Sequence, residues 1–316
     1  MTAPTIFFSL NYRAGNQLYT LNSYDTNTGL TFSLFEFSDV GLPPISRITQ
    51  KGAFQNGDTN IDFRLGPRKF TIRGMVPASN TFENLNVRQT LSQIFKVTNT
   101  RARLLLTSIQ TLNEDPFTET IMQREIECFV EGGLNFSSDT SGGYDVFYDV
   151  ALYAPSPLWY DPTAVTVTIG TSPTGDATDV PLTVPRTYGS TELDDTTVIN
   201  YTGTFLSYPV ITIESGSAGM TGVRIENQTQ GTEIVIPTIQ ANMTLRLDLR
   251  YGYKTVLDGD LINQIALIDP SSDLTTFALV PSINTQVATN FINVTADSSG
   301  TDASVSLRYN TQYIAV

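Results

Sequence analysis

Lys51-Gly-Ala-Phe-Gln-Asn-Gly-Asp-Thr-Asn-Ile-Asp-Phe-Arg-Leu-Gly-Pro-Arg-Lys-Phe-Thr-Ile-Arg-Gly74 and Ala154-Pro-Ser-Pro-Leu-Trp-Tyr-Asp-Pro162 decide how this chain is read. In the first stretch Ile61, Phe63 and Leu65 alternate with Asp62 and Arg64, and Phe70 and Ile72 alternate with Thr71 and Arg73. Side chains of a strand point alternately to its two faces, so the pattern predicts two half-buried strands on either side of a Gly66-Pro67 turn. In the second stretch Pro155, Pro157 and Pro162 have no N–H to give to a ladder. A central strand therefore ends there, and the first domain is expected to close at residue 160, with a second domain over 161–316.

Working outward, the apolar period changes after Gly74. Val87, Leu91, Ile94 and Phe95 share one face of a helix expected to start near Thr81 and fray near Thr98. Upstream, Thr31-Phe-Ser-Leu-Phe-Glu-Phe37 is an apolar run that places Phe32, Leu34 and Phe35 in the core, although the doubled Leu34-Phe35 spoils strict alternation. Downstream, Arg103–Ile109, Met122–Val130 and Tyr144–Tyr153 return to strand character, with a turn at Asn113-Glu-Asp-Pro116. Beyond Pro162 a strand opens at Val165, Val167 and Ile169, and the polar stretch from Gly170 to Thr204 is expected to hold two brief strands. Leu245, Leu247 and Leu249, then Val305, Leu307 and Tyr309, alternate with polar residues as in a sheet wet on one face. The expected fold is mainly β: a barrel- or sandwich-like first domain with one helix, then a β-sandwich.

Composition narrows the function. At 316 residues the chain is long enough for two cores, and 40% hydrophobic against 16% charged residues marks an ordered protein. No apolar run is long enough for a membrane-spanning helix, and the N-terminus lacks the order of a signal peptide. The single cysteine, Cys128, excludes an intrachain disulfide and fits synthesis in a reducing compartment. Of the net charge of −13, residues 1–160 carry −3 and residues 161–316 carry −10. So acidic a surface repels nucleic acid, which binds where Lys and Arg displace counterions from phosphates.

No catalytic set emerges. The chain has no histidine, which removes the usual general base and the centre of Ser/His/Asp and Cys/His arrangements. Gly216-Ser-Ala-Gly219 and Gly170-Thr-Ser-Pro-Thr-Gly175 lack the spacing of a nucleophile elbow or a phosphate cradle. One cysteine without histidine cannot build a zinc site. The carboxylate clusters Glu192-Leu-Asp194-Asp195, Asp258-Gly-Asp260 and Asp297-Ser-Ser-Gly-Thr-Asp302 do not reproduce a calcium loop, and nothing pairs an acid with a nucleophile as a glycosidase requires. Cys128 reads as a small core residue, and Trp159 as a plug at the seam between the domains rather than a sugar platform. No catalytic, cofactor-binding or metal-ligating residue is assigned.

Gly52, Phe54, Gln55, Gly57 and Asp58, then Pro67, Arg68 and Gly74, then Arg88, Leu91 and Phe95, the strand Arg124-Glu-Ile-Glu-Cys128 closed by Gly132-Gly133-Leu134, and Pro157-Leu-Trp-Tyr-Asp161 together resemble the distal tail (Dit) proteins of long-tailed bacteriophages. In the second half, Tyr208–Ile213, Arg224–Gly231, Leu245–Gly252 and Val305–Tyr309 look like the galectin-like β-sandwich of that family. The resemblance implies a structural virion protein and no enzyme: a homohexameric ring built by the first domain at the tail tip, assembled in the host cytoplasm. Its channel would continue the tail tube and pass DNA without binding it. The second domain would face baseplate, receptor-binding and tail-associated lysin partners. Phe54, Gln55, Pro67, Arg68 and Trp159 are the structural or interface candidates, and polar turns at Asn56-Gly-Asp58 and Glu114-Asp115 the candidate channel lining. The alternative is a carbohydrate-binding host-adhesion module. Against it, galectin-type sugar sites use tryptophan and histidine, and the second domain has neither.

Overall fold

A computed structural model describes residues 5–112, 118–137, 143–169, 193–283, 285–299 and 302–315. It is mainly β, with a half-barrel among its sheets and one α-helix among the described residues. Two compact units divide the chain: Met1–Pro162 with Tyr313–Val316, and Thr163–Gln312. Among the described residues no helix is long and apolar enough to cross a membrane.

The first unit holds β1 (Thr5–Ala14), β2 (Gln17–Thr20), β3 (Ser33–Phe37), β4 (Ile45–Gln50), β5 (Thr59–Leu65), β6 (Arg68–Val76), α1 (Thr81–Ile94), β7 (Ala102–Leu112), β8 (Thr118–Ser137), β9 (Val146–Ala154) and β10 (Trp159–Tyr160). Its main sheet runs β2-β1-β7-β8-β9-β6-β3. β8 pairs along its first half with β7 from Leu112↔Thr118 to Ala102↔Cys128 and along its second with β9 from Phe129↔Tyr153 to Ser137↔Phe147, and β10 joins it at Tyr160↔Glu125. The register slips twice between Val130 and Asn135, where Gly132 and Gly133 adopt φ of 127° and 74°. Side chains avoid that region, so the glycine pair lets one long strand bend from one neighbour to the other.

α1 follows from its sequence. The Asn80 side chain accepts from the Glu83 N–H at 2.9 Å, and the Glu83 carboxylate accepts from the Ser79 N–H at 2.7 Å, a reciprocal cap that satisfies two orphan donors. Val87, Leu91, Ile94 and Phe95 are buried as their spacing predicts. They meet Leu10, Tyr12, Phe70, Ile72, Leu104, Ile126, Val150 and Trp159 in one core, where Phe95 packs on Tyr12 and Tyr148 at 5.1 and 6.2 Å. Each large side chain so buried stabilises the unit by about 1.5–3 kcal/mol.

The sequence places β5 half-buried; the structure corrects this. β5 pairs only with β4, and all its residues but Leu65 are exposed, whereas β6 alternates buried and open as expected. Alternation marks an amphipathic strand but not whether its own chain covers the apolar face. Phe35 is a second correction: the register shift between Leu34 and Glu36 turns it out of the core, 62% exposed, while Phe32 stays buried. The turn expected at Asn113–Pro116 lies outside the described residues.

The second unit contains β11 (Val165–Ile169), β12 (Leu193–Tyr201), β13 (Val210–Glu214), β14 (Met220–Asn227), β15 (Thr232–Ile239), β16 (Thr244–Asp248), β17 (Thr255–Asp258), β18 (Ala288–Ala296), β19 (Ser298–Ser299) and β20 (Ser304–Tyr309). One sheet runs β11-β20-β13-β16-β17, the other β12-β18-β14-β15 with β19 beside β14. Ile211, Ile213, Leu245, Leu247, Val305 and Leu307 of the first share a core with Ile225, Ile234, Ile236, Ile292 and Val294 of the second, the double-sheet arrangement that the alternating runs predict. Where two brief strands are expected, β12 is one nine-residue strand; residues 170–192 of that stretch lie outside the description. A last strand, β21 (Gln312–Tyr313), leads the chain's end back to the first unit at Tyr313.

Candidate functional site

The hairpin β4–β5 is the feature of the first unit that its own sheet leaves unexplained. Its register pairs Ile45 with Leu65 and Arg47 with Phe63, then Ser46 with Arg64 and Ile48 with Asp62. Cross-strand partners share a face, so Ile45, Phe63 and Leu65 lie on one face with Arg47 among them and Ile48 lies on the other, while Ile61 is left unpaired at the register shift between Ile48 and Thr49. Ile61 is 58% exposed and Phe63 46%. A two-stranded ribbon is marginally stable by itself in water, and this one leaves its apolar side chains open.

The tip of this arm is ordered by Gln55. Its carbonyl accepts from the Gly52 N–H at 3.0 Å, its amide donates to the Thr59 hydroxyl at 2.8 Å, and its backbone N–H donates to Gly52 O at 3.2 Å. Phe54 is thereby held at φ 64°, in the left-handed region an aromatic residue rarely adopts, with its ring wholly in solvent. At the base, the Gly66 N–H donates to Pro44 O at 2.7 Å, and Pro67 carries the chain into β6.

Arg68, directly after Pro67, is buried. Nε donates to Pro157 O at 2.6 Å, Nη1 to Asp39 O and Gly41 O, and Nη2 to Ile314 O. Burial lowers its pKa, and the charge of Asp39 acts the other way. Trp159 is likewise buried in the first unit's core, edge-on to Phe70 at 5.5 Å. The five candidates thus divide: Phe54 and Gln55 form the arm's tip, Pro67 its base, and Arg68 and Trp159 the core behind that base. Ile45 and Ile48 escaped the sequence reading because, three residues apart, they break the alternation of a strand and lie on opposite faces of the ribbon. Asn56, Gly57 and Asp58 lie in the tip loop, while Glu114 and Asp115 lie outside the described residues.

Outside the arm, the carboxylates of the second unit are taken up by its own turns and, at Asp194, by a cross-strand bond. Asp258 accepts from the N–H groups of Asp260 and Ile262 and from Gln264, Asp194 from Asn293, and Asp302 from the Ser217 N–H. Among the described residues no three metal-ligating side chains gather. Buried Tyr208 and exposed Tyr251 and Tyr253 carry cations of their own chain: Lys254 Nζ lies 4.9 and 5.3 Å from the rings of Tyr208 and Tyr251, and Arg250 lies 4.4 Å from Tyr253. Cys128 is buried and free.

No protein-family model matches the sequence, and no curated protein matches it. Among solved structures, the chain is similar to SPP1 Dit (gp 19.1), a paradigm of the hub adsorption apparatus in phages infecting Gram-positive bacteria: TM-score 0.61, 14% identity, with 97% of this chain and 99% of that one covered. A chain of the phage P2 baseplate in its activated conformation with Ca aligns at TM-score 0.41 and 9% identity, covering 96% and 98%. Its counterpart with Sr aligns at TM-score 0.39 and 10% identity, with the same coverage. The fold argument rests on the first, which spans both units, and the likeness to distal tail proteins expected from the sequence is met at the level of the fold.

Proposed function

We propose that this chain is a distal tail hub: a structural virion protein, not an enzyme, whose first unit closes into a hexameric ring between tail tube and baseplate. The observation that carries the reading is the fold shared with SPP1 Dit over nearly the full length of both chains. The arm supports self-assembly, since a ribbon with uncovered apolar side chains and a solvated phenylalanine gains stability against a neighbour. A ring of identical copies uses two different patches on each subunit and normally buries upward of about 1,000 Å² per stable contact. DNA passes through the ring without being held, in keeping with the net charge of −13. The second unit, a galectin-like β-sandwich, docks baseplate, receptor-binding or tail-associated lysin proteins at the tail tip, each weak contact multiplied by the ring.

Mass measurement of the purified chain and electron microscopy of the isolated tail test this together. Six copies in a ring are expected; a monomer in the tail, or a channel wall dominated by Arg64, Lys69 and Arg73, contradicts it. The adhesion reading predicts saturable glycan binding that is lost on changing one exposed tyrosine. Cations already over Tyr208, Tyr251 and Tyr253 weigh against it.

A further inference from the structure

A cavity of about 240 Å³ opens on the first unit where β3, β6, β8 and β9 adjoin, bounded by Phe35, Arg73, Asn135, Ser137, Phe147 and Asp149. Two features of the fold create it. The β3 bulge swings Phe35 outward beside Phe147, the rings stacked with centroids 6.1 Å apart, and Gly74 contributes no side chain. Between the strands, Arg73 is held at 2.9 Å by both Glu36 and Asp149. Two phenyl rings and a guanidinium make a receptor for a third aromatic ring, which gains by offset or edge packing on the first two and by stacking on the cation.

The same chain carries such a ring. Phe54 stands at the arm's tip with 105% relative exposure, on a loop fixed by Gln55. An apolar cavity of about 150 Å³ admits benzene, so 240 Å³ accommodates a phenyl side chain. Extended backbone gains about 3.3 Å per residue, so the six residues of β4 carry the arm on the order of 20 Å from Ile45 before the turn that holds Phe54. Resting on the ring assembly proposed above, we propose that Phe54 of each copy enters this cavity of the next copy, packing against the stacked Phe35–Phe147 pair from outside and over Arg73. Knob and hole lie at different places on one subunit, so the contact is head-to-tail, the kind that propagates around a ring.

The test uses the full chain in analytical ultracentrifugation over a wide concentration range. Phe54→Ala removes the knob and Asn135→Trp fills the hole; each is expected to weaken assembly roughly 30-fold or more, as loss of an interface hot spot does. A mixture of the two variants retains one intact knob and one intact hole per pair, so it forms a heterodimer and nothing larger. Phe54→Cys with Ser137→Cys in one chain, oxidised, gives a ladder of linked subunits, while either change alone gives none; the native thiol, Cys128, is buried. Phe54 touches nothing in its own chain, so an unchanged melting temperature for Phe54→Ala confirms that lost assembly is not misfolding. Assembly of both variants at unchanged affinity, or an unlinked double-cysteine chain that still assembles, overturns the knob-and-hole contact and leaves the ring standing. A parent chain that stays monomeric throughout overturns the ring and this contact with it.

Discussion

Arg68 donates through Nη2 to the backbone carbonyl of Ile314, 246 positions further along the chain. Its other donors reach Pro157, Asp39 and Gly41, so one buried cation gathers three distant segments behind the base of the arm. All four acceptors are backbone carbonyls, and a buried acceptor left without a donor costs about 1–3 kcal/mol.

Arg68→Ala is therefore expected to destabilise the first unit by about 3 kcal/mol or more, and Arg68→Lys, which lacks the planar fork, by roughly half as much. Removing residues 313–316 abolishes only the Ile314 bond among these four and is expected to cost less. Trp159 is the chain's one tryptophan and lies in the first unit's core, so its fluorescence during denaturant unfolding reports on this unit selectively. An unshifted Trp159 transition in Arg68→Ala would exclude the clamp.

Gly74 faces a different constraint, one of space. A Cβ placed there would lie 2.6 Å from the Tyr148 hydroxyl oxygen and 2.7 Å from Ser33 O. Gly74→Ala should force β3, β6 and β9 apart and cost about 1–3 kcal/mol. The Tyr148 hydroxyl is buried without a hydrogen-bond partner among the described residues, so Tyr148→Phe is expected to be neutral or mildly stabilising. Added to Gly74→Ala it restores part of the loss and no more, because Ser33 O remains. Equal stability of Gly74→Ala and the parent in the Trp159 assay would refute the close approach.

Periodicity and punctuation made most of the fold legible. The spacing of Val87, Leu91 and Ile94 marks α1 and its buried face, and the alternation from Phe70 to Arg73 marks β6. The arm was legible as a ribbon and illegible as an arm: Ile61 and Phe63 carry the signature of a half-buried strand, yet what covers such a face is a tertiary matter that sequence period does not encode. Phe35 was misplaced because one extra residue inverts every side chain beyond it, and a bulge is set by the partner strand as much as by the bulged one. Of the site, the tip was visible in Phe54 and Gln55. The cavity was not, since Phe35, Arg73, Asn135 and Phe147 come from four strands brought together only by the sheet order.

Cys128 sits opposite Ala102 between β7 and β8. Burial, and then the charge of Glu127, push its thiol up to about 12, so it stays protonated at ordinary pH. Thiolate is the reactive form, and the native chain is expected to resist thiol reagents at neutral pH while the denatured chain takes up one equivalent at once. Labelling of the native protein on the timescale of the denatured one would show that the core around Cys128 opens readily.

Asp248 ties acid sensitivity to the second unit. Its side chain is almost fully buried and accepts from Arg250 Nε at 2.9 Å and Nη2 at 2.6 Å, with Arg246 Nη2 at 3.3 Å. Burial alone would raise its pKa, but the bonds and charge of Arg250, aided by Arg246, outweigh burial and hold it below the usual carboxylate value. With its folded pKa depressed, the folded state binds fewer protons than the unfolded chain as pH falls. The stability that this carboxylate contributes is thus complete above the unfolded value of about 3.9 and is lost as pH falls through the folded value. Asp248→Asn is expected to cost the second unit about 2 kcal/mol at neutral pH, the scale of a charge-assisted hydrogen bond, and progressively less as the parent's carboxylate is protonated. Tyrosines lie in both units and the one tryptophan in the first, so this unit is followed by the part of the near-UV dichroism transition that Trp159 fluorescence does not report. A loss that stays the same at neutral pH and below the folded pKa would assign Asp248 a packing role and remove its charge from the account.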